Sequence, residues 1–124
     1  RVKLNITGFL TFICKQLDIK DIQLDIYLLK NREIIQLNKR TFNHHYVTDI
    51  ITLDYSTPDK KQAELYLSTQ QIKKQAWQHR KSFNLELQFV LAHGILHILG
   101  YNDNTIEKRK NMWQLQERLI KEYQ

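Results

Sequence analysis

A chain of 124 residues has room for one domain built on one hydrophobic core, and not for two. Its 42% hydrophobic and 26% charged residues are the balance of an ordinary globular protein, which excludes a disordered or fibrous chain. The net charge of +6 favours an anionic partner, of which nucleic acid is the commonest, although a basic solvated surface accounts for it equally well.

Residues 4–17 read as an amphipathic helix, with Leu4, Phe9, Ile13 and Leu17 in or near one apolar stripe. Cys14 falls on this segment as a small buried residue rather than a reactive thiol. As the only cysteine it allows no internal disulfide, so a reducing, cytoplasmic compartment is expected. Residues 22–29 alternate apolar and polar side chains and read as a strand. Helical spacing returns over residues 33–42 through Ile34 and Leu37. Residues 49–55 are β-branched and aromatic, a strand ended by the turn chemistry of Ser56-Thr57-Pro58-Asp59. A short strand over residues 64–67 is expected to be its hairpin partner. Three helices complete the chain, over residues 69–81, 85–99 and 105–122. The order α-β-α-β-β-α-α-α predicts a single α+β domain over residues 1–124, a small mixed sheet covered by helices. Basic residues cluster at Lys73, Lys74, Arg80 and Lys81, and again at Lys108, Arg109 and Lys110. Both clusters fall on expected helices and read equally as wet faces.

The segment from Leu85 to Asp103 carries the chemistry. Phe89, Val90, Leu91, Ala92, Ile95, Leu96, Ile98 and Leu99 make its helix apolar almost all round, the pattern of a helix at the centre of a domain. The run over residues 90–99 is broken by two histidines and a glycine and is too short to span a bilayer, and no signal-peptide pattern opens the chain, so no membrane partner is expected. The sequence starts at Arg1 without methionine, as expected of a beginning that was trimmed or left out.

His93 and His97 are the only polar side chains in the last three turns of that helix. Spaced i and i+4, they lie about 40° apart around the axis, so both imidazoles can point at one spot. Burying two imidazoles costs free energy unless each has a partner, and one metal ion supplies it for both. Gly100 suits the left-handed position beyond a helix end, and the chain can then turn back to bring Asp103 to the histidines. The pattern H-x3-H-x2-G-x2-D offers two imidazoles and a carboxylate, leaving one tetrahedral position for water as in catalytic zinc sites. Such ligands serve zinc, nickel and other divalent ions, and zinc is the expectation. No residue is assigned as general base.

The string His93-Gly94-Ile95-Leu96-His97 followed by Gly100-Tyr101 resembles the signature H-G-x-L-H-L-x-G-Y-D-H of the YbeY endoribonucleases, the ribosomal RNA maturation ribonucleases. Leu37, Asn38, Thr48 and Asp49 match a second motif of that family, L-N-x9-T-D-V-L-S-F, with Ile50 to Leu53 following more loosely. Glu86-Leu87 and Met112 match further family positions. The resemblance implies a metal-dependent endoribonuclease specific for single strands. Its expected roles are maturation of ribosomal RNA at the 3′ end of the small-subunit precursor and ribosome quality control, with RNA and the ribosome or its proteins as partners and a monomeric state.

Three departures stand out. The family's third ligand is usually histidine, and this chain has Asp103, which adds a negative charge and makes a weaker Lewis acid of the ion. The family's basic residue five places after Leu37 falls at Phe42, leaving Arg40 or a lysine to meet phosphate. The family's Gly-Asp-Ile becomes Ala63-Glu64-Leu65. The opening strand of relatives also has no counterpart in this sequence. A zinc peptidase shares H-x3-H but needs a glutamate directly after the first histidine, where this chain has Gly94. A non-catalytic RNA- or ribosome-binding module, braced by its metal, is the other alternative, and Phe42 favours it. Thr48 and Asp49 read as bracing a loop rather than as catalysts. His44 and His45 read as exposed loop histidines, and Trp77 and Trp113 as core.

Overall fold

In the computed structural model, which describes residues 6–124, the expected elements appear in the expected order. The first is α1 (Thr7–Gln16), whose Phe9 and Ile13 are buried as the apolar stripe requires; Leu4 lies outside the described residues. Next come β1 (Ile22–Leu29), α2 (Asn31–Phe42), β2 (Ile50–Asp54) and β3 (Lys61–Ser68). α3 (Thr69–Gln78), α4 (Phe83–Ile98) and α5 (Ile106–Tyr123) follow.

The sheet is mixed and ordered β1-β3-β2. β1 runs parallel to β3, with Ile22 opposite Lys61, and β2 runs antiparallel to it, with Ile50 opposite Leu67. The expected hairpin of β2 and β3 is present: Ser56 donates its N–H to Asp54 Oδ1 (2.8 Å), and Thr57 and Lys60 bridge across Pro58-Asp59. β3 is longer than the expected 64–67 because its central place pairs it on both sides. It alternates in burial, with Ala63, Leu65 and Leu67 turned into the core.

The last three helices start at side-chain caps. Ser68, Ser82 and Thr105 accept from the N–H groups of Gln71, Leu85 and Lys108. Ser82 starts α4 two residues earlier than hydrophobic spacing suggests. α3 stops before residue 81 because Arg80 takes a left-handed φ of 55°.

α4 lies between α3 and α5 and against β2 and β3. Its Leu87, Val90, Leu91, Ala92, Ile95 and Ile98 join Phe9, Ile13, Leu65, Leu67 and Ile72 in one apolar cluster. Leu65 is fully buried at the centre of the sheet, and Leu65→Ala is expected to cost about 2–5 kcal/mol in urea denaturation.

The expectation that Trp77 and Trp113 are core is corrected: they are 82% and 53% exposed. α3 buries its Ile72–Ala76 face and α5 its Met112–Gln116–Leu119 face, and each tryptophan sits one residue round from that face. Trp113 instead leans edge-on against Phe89. Cys14 is half-buried, and desolvation raises its thiol pKa. No helix of the described residues is long and apolar enough to cross a membrane.

Candidate metal centre

α4 comes close to the sheet because residue 94 is glycine. A Cβ there would sit 2.7 Å from Ile50 Cδ1 and 3.4 Å from Thr52 Oγ1. This seats His93 and His97 at the C-terminal end of a helix held from several sides. The helix then ends in a Schellman motif: Gly100, at φ 98°, donates its N–H to the His97 carbonyl (3.1 Å), and Tyr101 donates to that of Leu96 (3.0 Å). The reversal carries the chain back over the helix end, and Asp103 faces the histidines.

The three expected ligands come together. The Nε2 atoms of His93 and His97 are 3.0 Å apart, and Asp103 Oδ2 lies 3.8 and 3.7 Å from them. A tetrahedral ion with bonds of about 2.1 Å needs donors roughly 3.4 Å apart, and the three separations bracket that value. All three residues are partly accessible, which leaves an approach from solvent.

The surroundings fit the same use. Gln116, buried on α5, donates its Nε2 to the Phe89 carbonyl (3.1 Å), which turns its Oε1 towards His93 Nδ1 (3.3 Å). That oxygen only accepts, so His93 carries its proton on Nδ1 and presents a lone pair on Nε2, the form a metal requires. Burial, and then the neighbouring His93, lower the pKa of His97, while Asp103 and a backbone hydrogen bond to Tyr101 oppose them. The net result favours neutral imidazole, the ligating form. The described His, Asp and Glu side chains form one group able to hold an ion, and it is this one.

The other expected residues have structural partners. The Asp49 carboxylate accepts from Gln75 Nε2 (3.1 Å) and its carbonyl from the Ser68 N–H (2.9 Å); Thr48 donates to the Ile50 carbonyl (3.4 Å). Both brace the start of β2. His44 pairs with Tyr46, and His45 is exposed. The basic clusters lie exposed on α3, α5 and the α3–α4 connection, and Lys81 covers the Phe89 ring at 5.3 Å. Sequence reading missed one feature and named another without giving it a role. The missed one is Gln116, a polar residue in the buried stripe of α5. The other is the buried Glu86, held by His79 Nδ1 (2.9 Å) and Gln75 Nε2 (3.4 Å).

Comparison with known proteins identifies the family and the fold. The family model described as Endoribonuclease YbeY matches residues 1–124. A protein of that name from Cytophaga hutchinsonii is 31% identical over 113 residues, 90% of this chain and 79% of its own. Another, from Ureaplasma parvum serovar 3, is 34% identical over 123 residues, 97% of this chain and 72% of its own. A third, from Phocaeicola vulgatus, is 36% identical over 80 residues, 64% of this chain and 58% of its own. The alignments thus span between 58% and 79% of these relatives' lengths. The solution structure of a Thermotoga maritima protein shares the fold, with a TM-score of 0.70 at 24% identity over 95% of this chain and 80% of that one.

Proposed function

The chain belongs to the Endoribonuclease YbeY family, and on that premise we propose that it is a metal-dependent endoribonuclease cutting single-stranded RNA. Its proposed task is ribosomal RNA maturation at the 3′ end of the small-subunit precursor, with a part in ribosome quality control. The observation that carries the reading is the convergence of His93, His97 and Asp103 beyond the end of a buried helix.

A divalent ion bound there supplies Lewis acidity, acidifying a water and offsetting charge on a phosphodiester oxygen. The chain's own residues do the rest. His93 and His97 would hold the ion through Nε2, and Gln116 fixes the His93 tautomer from behind. Asp103 would add a carboxylate oxygen, and with it a negative charge that moderates the ion's acidity relative to three imidazoles. The exposed lysines and arginines of α3 and α5 would hold the RNA backbone in a salt-dependent way. Zinc is the proposed ion, the cytoplasm the proposed compartment, and a monomer acting on RNA and the ribosome the proposed working form. Gly94 supplies no side-chain base, which argues against peptide hydrolysis. Phe42, where the resemblance expects a cation, favours the second reading, a non-catalytic RNA-binding module with a structural ion.

The test is cleavage of a labelled single strand, and of the same sequence in a duplex, by purified protein before and after chelation, with elemental analysis of the protein. Cutting of the single strand is expected to stop on chelation and return with the metal. Cleavage indifferent to chelation overturns the hydrolytic role of the ion, and a metal-loaded protein that cuts nothing favours the binding module.

A further inference from the structure

Resting on that reading, we propose that Phe42, His44 and Tyr46 form a stacking platform that holds bases of single-stranded RNA beside the metal centre. Just beyond α2, Asn43 takes a left-handed backbone (φ 56°, ψ 32°) that reverses the chain and brings the rings on either side of it together. The Phe42 and His44 rings are stacked with centroids 6.2 Å apart and planes 28° from parallel. His44 and Tyr46 follow at 5.1 Å and 19°.

The series is held in place from beneath. Tyr46 Oη and His44 Nδ1 are hydrogen-bonded at 3.0 Å. Buried Asn38 donates its Nδ2 to the Tyr46 carbonyl (3.2 Å), and its own carbonyl accepts the His44 N–H (3.2 Å). Yet Phe42 is 46% and Tyr46 57% exposed, so the core makes little use of either ring. A platform that is ordered before binding loses little entropy when a base settles on it.

These rings line an open groove of ≈ 290 Å³ whose other wall is β2. β2 is an edge strand, with no further strand on its outer side among the described residues. The groove and the metal centre share a wall, since Ile50 and Thr52 of the groove are also the residues against which Gly94 packs, next to His93. No acidic side chain lines the groove, because Asp49 turns its carboxylate to Gln75. Lys39 and Arg40 lie exposed within a turn of Phe42. A basic rim beside exposed, near-parallel rings suits single-stranded nucleic acid, in which every base offers a π-face and every linkage a negative charge. Stacking also supplies a grip on the strand that needs no cation at position 42.

The test is fluorescence anisotropy with the metal-loaded full chain and an uncleavable 2′-O-methyl oligoribonucleotide, set against an abasic strand of equal length. Phe42→Ala and Tyr46→Ala are each expected to weaken binding of the base-bearing strand by about five- to 150-fold. Neither should alter binding of the abasic strand or the salt dependence, since no charge is removed. Phe42→Trp should keep the wild-type affinity, which separates stacking from damage to the fold. The platform is overturned if the alanine variants bind the base-bearing strand as tightly as wild type, or if Phe42→Trp behaves like Phe42→Ala; the groove then serves another occupant, such as a peptide pairing with the edge of β2. Wild-type protein that cuts RNA while the alanine variants bind normally refutes the platform alone. A wild-type protein that neither binds nor cuts RNA refutes the nuclease reading itself.

Discussion

Replacing His97 by alanine is expected to empty the metal centre and to lower RNA cleavage by about a thousandfold or more. The ion's contribution to stabilising developing charge is several kcal/mol, and each ~1.4 kcal/mol is tenfold in rate. Without His97 only His93 and Asp103 remain, two donors 3.8 Å apart on the rim of an open site. Elemental analysis should find the metal gone, and single-turnover assays should find cleavage gone with it. Wild-type metal content together with wild-type cleavage would sink the assignment of the centre.

The same variant has a second readout in the metal-free protein. The pKa of His97 is lowered in the fold, so between the folded and unfolded values the unfolded chain binds more protons. The neutral ring's contribution to stability is therefore present above the ordinary histidine pKa of about 6.5 and is lost as pH falls through it towards the folded value. Thermal melts of chelated wild type should fall as pH drops from about 7 to about 5. The His97→Ala variant should fall less over the same range. Identical pH profiles would remove His97 from that account.

The second large effect is expected at Gln116, which touches no substrate. Its amide is read at both ends, by the Phe89 carbonyl and by His93 Nδ1, so a single side chain sets the proton position of a ligand. Gln116→Leu keeps most of the buried volume and removes the acceptor. Metal affinity, measured by competition with a chromophoric chelator, should fall about 10–100-fold. Nitrogen NMR of the metal-free protein should show His93 leaving the Nδ1–H form. Gln116→Glu, which still accepts from Nδ1, should restore both. Unchanged affinity and tautomer in Gln116→Leu would reduce Gln116 to packing.

The candidate metal segment was legible because its signal is local: two histidines one turn apart in an oily helix each need a metal or another hydrogen-bonding partner, and a glycine stop precedes the acidic residue. The family signature over residues 93–101 pointed the same way. What stayed hidden depends on partners distant in sequence. The length of β3 follows from having strands on both sides. The exposure of Trp77 and Trp113 follows from which face of α3 and α5 meets the core, and helical spacing alone does not say which. Gln116 carried a usable signal, since Met112, Gln116 and Leu119 share one stripe and a polar residue within such a stripe calls for a partner. The ring stack at Phe42 carried none, for it exists only because Asn43 turns left-handed after α2.

The tight seat of Gly94 also bears on how this scaffold can evolve. A histidine pair at the same spacing serves zinc peptidases, and a glutamate for glycine exchange is the single change that would supply their base. Here the new Cβ would sit 2.7 Å from Ile50 Cδ1, 3.4 Å from Thr52 Oγ1 and 3.6 Å from Leu65 Cδ2, so a carboxylate would have to be accommodated in the apolar seam between helix and sheet, where its desolvation is costly. Such a mutant would be destabilised at the position where it needed its base, with Ile50 displaced to make room. Two chemistries that look one substitution apart in the alphabet of residues thus also differ in how closely a helix can approach a strand.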